Sequence, residues 1–250
     1  MVGSDWAYIR EHTRGYMPTK GSGILENDFR CQPGGATGQN TDVYTVQPGD
    51  KIALKQAFGG TGMEHPGPAQ VYMSKAPSGS VKSYDGSGDW FKVSEQLLCA
   101  SPSNGAIQTD AWCVWGEDRI SFTMPATVPD GEYLVRAEHI PLHGAHDGQA
   151  EFYYACAQVK VEGGASNSSS GSAPSPTVKI PGVYKVDDAA INFSIWDSSL
   201  TEYSTIPGPE VVSGGQMRGS EDGSSDAITN VTKRSLARGR GRRMARGQDE

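Results

Sequence analysis

Glycine and proline interrupt this 250-residue chain so often that no long helix has room to form. There are 32 Gly and 15 Pro, many of them in turn-forming groups such as "QPGD", "HPGP" and "VPDG". Proline removes a backbone donor and glycine adds conformational freedom, so both end regular elements. Short alternating or apolar runs lie between the breaks: "VYTV", "KIALKQAF", "AQVYMSKA", "RISFTM", "GEYLVRAEHI" and "EFYYACAQVKVEG". Their length, period and β-branched content predict an all-β protein, an antiparallel sandwich of immunoglobulin-like or fibronectin-like type with long loops. The stretch "WFKVSEQLLCA" reads as at most a short helical turn. A hydrophobic fraction of only 36% suits this turn-rich class.

The sandwich is expected over residues 1–214, with 163–177 ("GGASNSSSGSAPSPT") a linker-like loop by composition. Residues 178–214 are too short to fold alone, and their apolar content predicts a flap packed back on the body. Residues 215–250 are polar, then arginine-rich, and are expected to form a disordered basic tail. The net charge of −7 is uneven: residues 231–250 hold seven Lys/Arg and two Asp/Glu, a net of +5, so 1–230 carry −12. An acidic body argues against a nucleic-acid partner.

Four cysteines, Cys31, Cys99, Cys113 and Cys156, occur without a CxxC pair. That pattern predicts two disulfides rather than zinc, with all three connectivities open. Acceptor triplets at Asn167, Asn192 and Asn230 point to a secreted glycoprotein. No apolar run long enough for a membrane span occurs, and "MVGSDWAYIR" has no export sequence. The signal peptide is therefore expected to be missing from this chain.

The residues "PLHGAHDGQAEFYYAC" (141–156) gather groups that hold protons or metals at the start of one strand. Side chains alternate along it, so Glu151, Tyr153, Ala155, Ala157, Val159 and Val161 share a face, and the valines mark that face as the core side. A buried carboxylate needs a partner, and a buried phenol needs an acceptor. His65 sits in the "HPGP" turn before another strand. His65, His143 and Tyr153 form a set suited to copper, zinc or iron. No GxSxG elbow supports serine hydrolysis.

Several blocks in one order, "SDWAYIRE", "DFRC", "HPGPAQVYMSKAP", "YLVRAEHIPLH", "EFYYACAQVKVEG" and "VKIPGVYK…YSTIPGPEV", resemble fungal lytic polysaccharide monooxygenases of auxiliary activity family nine, formerly glycoside hydrolase family sixty-one. The resemblance implies one copper ion held in a histidine brace, with His65 as the brace's second histidine and Tyr153 as axial ligand. It implies catalytic roles for His143 and Tyr153, and for Glu151, which stands where the family has glutamine. Tyr203, before "IPGP", resembles a substrate-stacking aromatic, with a packing residue as the equal alternative, and Cys31–Cys156 and Cys99–Cys113 resemble the family's disulfides. The family brace begins at an N-terminal histidine followed by a first strand, and His12 lies too far along to replace it. The expectation is a monomeric, secreted enzyme that oxidises cellulose or a related β-glucan at C1 or C4, using an external electron donor and oxygen or hydrogen peroxide. It is expected to be impaired in this form. The alternative is a non-catalytic sandwich that binds polysaccharide.

Overall fold

Each of the six alternating runs forms a strand, because Val, Ile, Tyr, Phe and Thr fit a pleated surface buried on at least one side. The computed structural model describes residues 6–57, 62–77, 79–164 and 174–232. In chain order the strands are β1 (Tyr44–Val46), β2 (Lys51–Lys55), β3 (Ala69–Lys75), β4 (Trp90–Gln96), β5 (Arg119–Thr123), β6 (Gly131–His139), β7 (Tyr153–Val161), β8 (Val211–Arg218) and β9 (Ile228–Asn230). Seven of them form one sheet in the order β1-β7-β6-β3-β4-β8-β9, and β2 pairs with β5 in a second, two-stranded sheet.

The alternation in β7 divides the core in two. Ala157, Val159 and Val161 face Val71, Met73, Val135 and the β5 residues Ile120 and Phe122, which fill the space between the two sheets. Tyr154 and Cys156 point the opposite way and join Phe29, Trp90, Ile180, Tyr184 and Ile195. The flap from Val178 onward therefore packs on the outer face of the large sheet, bridging β4 at Trp90–Val178. Every described helix is a short 3₁₀ turn.

Two expectations need correction. The "WFKVSEQ" stretch is β4, all seven residues of it buried. Trp90 serves one core, Phe91 and Val93 the other, so the strand lacks a polar face by which alternation could reveal it. A register shift between Lys92 and Ser94 accompanies the ion pair of Lys92 Nζ with Glu95 Oε2 at 2.5 Å, and Lys92 also donates to Pro207 O at 2.8 Å. The folded body also does not end at 214. Strand β8 runs through that point and β9 pairs with it antiparallel. Only Val211 and Val212 of β8 are buried apolar residues, and β9 is an exposed edge strand held by backbone pairing, so Ser213, Gly214 and Gly215 hid both from a composition reading. The expected linker centre (165–173) and the tail beyond 232 lie outside the described residues.

Both disulfides connect the pairs that the resemblance implied. Cys31–Cys156 spans 125 residues with Cα atoms 5.2 Å apart, and Cys99–Cys113 spans 14 with Cα atoms 4.7 Å apart.

Candidate functional site

The site forms where three chain segments meet at one end of β7. The turn His65–Pro68 is pressed against residues 140–142 by two bonds, Leu142 N donating to Pro66 O at 2.8 Å and Ile140 N to Pro68 O at 2.9 Å. A Cβ on Gly67 would collide with the Ile140 carbonyl, so only glycine allows this approach. Glu151 N then donates to Pro141 O at 3.0 Å, which carries the chain into β7. These links place His65, His143 and Tyr153 together. The His65 ring lies 5.4 Å from that of His143 and 5.9 Å from that of Tyr153, centroid to centroid.

Glu151 is the hub beneath them. Its side chain is 8% exposed, and its Oε1 lies 2.5 Å from Lys20 Nζ and 3.5 Å from His143 Nε2. Tyr153 OH donates to the other oxygen at 2.9 Å. Burial pushes the Glu151 carboxyl upward, but bonds from Lys20 and Tyr153, with His143 nearby, outweigh it and hold the carboxyl below its usual range. Burial and the Glu151 charge push the Tyr153 phenol up, so it remains protonated and offers a neutral oxygen.

Three residues that sequence reasoning passed over complete the surroundings. His139 pairs across the ladder with Tyr153 and is buried behind His65. Burial first, then the neighbouring His65, push its pKa down to about 3, against backbone hydrogen bonds with Gly67 and His65; it is a neutral support for the turn. Lys20 follows the Thr19–Phe152 bridge that brings a distant segment beside Glu151. Trp196, on the flap, donates its indole N–H to His143 O at 2.9 Å while staying 51% exposed.

Tyr203 does not lie on that surface. It is fully buried, donates to Ala190 O at 3.2 Å, and packs edge-on against Trp112 and Phe193. Its place in the flap sequence concealed an inward-facing, core position. His12 packs against Trp6 instead, and His146 faces Asp147.

A metal would find His65 and Tyr153 as donors, since Tyr153 O keeps a lone pair after donating its proton to Glu151. Among the described residues no group of three or more His, Cys, Asp or Glu side chains could hold a metal ion. One imidazole and one neutral phenol fit copper as part of a ligand set, not as a full one.

The sequence matches the model of Auxiliary Activity family 9 (formerly GH61) over residues 3–203. It is 52% identical over 235 residues to the AA9 family lytic polysaccharide monooxygenase A of Aspergillus fumigatus, covering 90% of this chain and 76% of that protein. It is 50% identical over 227 residues to monooxygenase D of Emericella nidulans, covering 87% and 74%. Among solved structures, a cellulose-active polysaccharide monooxygenase from M. thermophila is 34% identical with a TM-score of 0.64, covering 80% of this chain and 85% of that one.

Proposed function

The chain belongs to Auxiliary Activity family 9, whose members cleave polysaccharides oxidatively, and on that premise we propose that it oxidises cellulose or a related β-glucan with one copper ion held in part by His65 and Tyr153. The convergence of those two side chains over the Glu151 hub supports this reading. When bound, copper would supply a redox centre that takes electrons from an external donor and uses oxygen or hydrogen peroxide to oxidise C1 or C4 of a glucan unit. The family pattern assigns the remaining nitrogen donors to a histidine that opens the mature chain.

The protein's own residues have distinct parts in this. Tyr153 stays a neutral phenol, with its proton directed to Glu151 and its ring beside that of His65. His143 stands beside them with Nε2 3.5 Å from Glu151 Oε1, where it can hydrogen-bond an oxygen species. Trp196 takes the place expected for Tyr203, an exposed ring beside the site on which a sugar face can stack. The acidic body, the disulfides and the exposed Asn192 and Asn230 agree with secretion and N-glycosylation. Among the described residues, no helix is long and apolar enough to cross a membrane.

Cellulose incubated with copper, ascorbate and the protein preceded by a segment that begins with histidine tests the proposal. Mass spectrometry should detect oxidised oligosaccharides that vanish on chelation and return with copper; binding without any product would favour a non-catalytic polysaccharide-binding sandwich. Replacing Trp196 by alanine should weaken adsorption to cellulose about fivefold, equivalent to roughly 1 kcal/mol of ring contact. Tyr203→Phe should leave adsorption unchanged. A depletion isotherm in which Tyr203→Phe lost binding and Trp196→Ala did not would return the stacking role to Tyr203.

A further inference from the structure

We propose that Lys20 is a positioning residue, whose ammonium locks the Glu151 carboxylate against the Tyr153 phenol and so sets where Tyr153 and His143 stand in the site. The functional meaning of this lock rests on the reading of His65 and Tyr153 as metal donors, but the lock itself does not.

Thr19 N donates to Phe152 O at 3.0 Å and Phe152 N to Thr19 O at 2.9 Å, a two-bond bridge that fixes the register of a segment 133 residues away in sequence from β7. Thr19 is buried, with its hydroxyl 3.0 Å from Tyr154 OH. Ile24, in the 3₁₀ turn that follows, is buried as a second anchor. Lys20 thus leaves a backbone held on both sides, and among the described residues its side chain is the only Lys or Arg paired with Glu151.

The chemistry then assigns the role. A buried carboxylate with one neutral hydrogen-bond donor is poorly compensated. Of its two described nitrogen neighbours, His143 Nε2 stands at 3.5 Å and Lys20 Nζ at 2.5 Å. The Lys20 contact occupies Oε1, which leaves Oε2 for the Tyr153 proton. With Lys20 removed, the carboxylate can rotate toward His143, and both the phenol and the imidazole lose their reference point. The pair also cancels the charge at the base of the site, so a carboxylate there adds no net negative charge beneath His65.

Four variants of the metal-free protein test this: Lys20→Met, Lys20→Arg, Glu151→Gln, and Lys20→Met with Glu151→Gln. The readouts are the ring resonances of Tyr153 and His143 and the folding equilibrium from urea titration. Lys20→Met should displace both sets of resonances, and Lys20→Arg should restore them. In the Glu151→Gln background, Lys20→Met should displace neither. The folding equilibria should show a Lys20–Glu151 coupling of about tenfold, between the values for exposed and buried pairs, because Lys20 is 40% exposed. A Lys20 that merely packs its methylene stem would give the same displacement in both backgrounds. That result, or no displacement in either, would overturn the proposal. Failure of the metal reading would appear in copper binding and leave these resonances unaffected.

Discussion

Replacing His65 with alanine, in the form preceded by a segment that begins with histidine, is expected to reduce the release of oxidised sugars by about 100-fold or more. Substitutions that only touch a metal ligand cost roughly 10- to 100-fold in metal affinity or activity, so loss of a ligand should exceed that range. Among the described site residues, His65 supplies the nitrogen donor that faces Tyr153, and His143 is turned to Glu151 instead. Tyr153→Phe keeps the ring and removes one weak oxygen donor, so its loss should be smaller, on the order of tenfold. The fold should survive both changes, since His65 lies in a turn held by the backbone bonds of Pro66 and Pro68. Product analysis beside thermal melting separates the two effects. Equal products from wild type and His65→Ala would remove His65 from the mechanism.

Removing the Cys31–Cys156 bridge by double substitution to alanine is expected to cost about 4–5 kcal/mol of folding stability, because it closes a loop of more than a hundred residues in the unfolded chain. The separation of 125 residues contrasts with 14 for Cys99–Cys113, whose removal should cost about 3 kcal/mol. In urea the larger loss corresponds to a midpoint shift of roughly 2 M. The site should loosen too, since Cys156 is three residues beyond Tyr153 on β7 and ties that strand to the 3₁₀ turns around Phe29. A smaller midpoint shift than that of the short-loop variant would show that loop closure does not govern this bridge.

The strands and the convergence of His65, His143 and Tyr153 could be read in the sequence because each carries a local signal. The strands alternate, the "HPGP" turn can only bend, and the two valines ending β7 mark which face is inward. What stayed hidden lacked such a signal. Strand β4 is buried on both faces with charges inside, so it shows no period. Strands β8 and β9 depend on backbone pairing, which composition does not reveal. Lys20 and Trp196 meet the site across 131 and 53 residues, through a bridge and a flap that no motif encodes. For Tyr203 the resemblance to a stacking aromatic and a packing role were equally open, and burial beside Trp112 and Phe193 decides for packing, since a large ring gains from that burial.

Calorimetry with Cu(II) tests the central claim most directly. The proteins compared are the chain as given, the same chain preceded by a segment that begins with histidine, and that extended form carrying His65→Ala. The account predicts weak binding for the first, tight binding of one ion for the second, and loss of most of that affinity in the third. Tight single-ion binding that persists without His65 would contradict it.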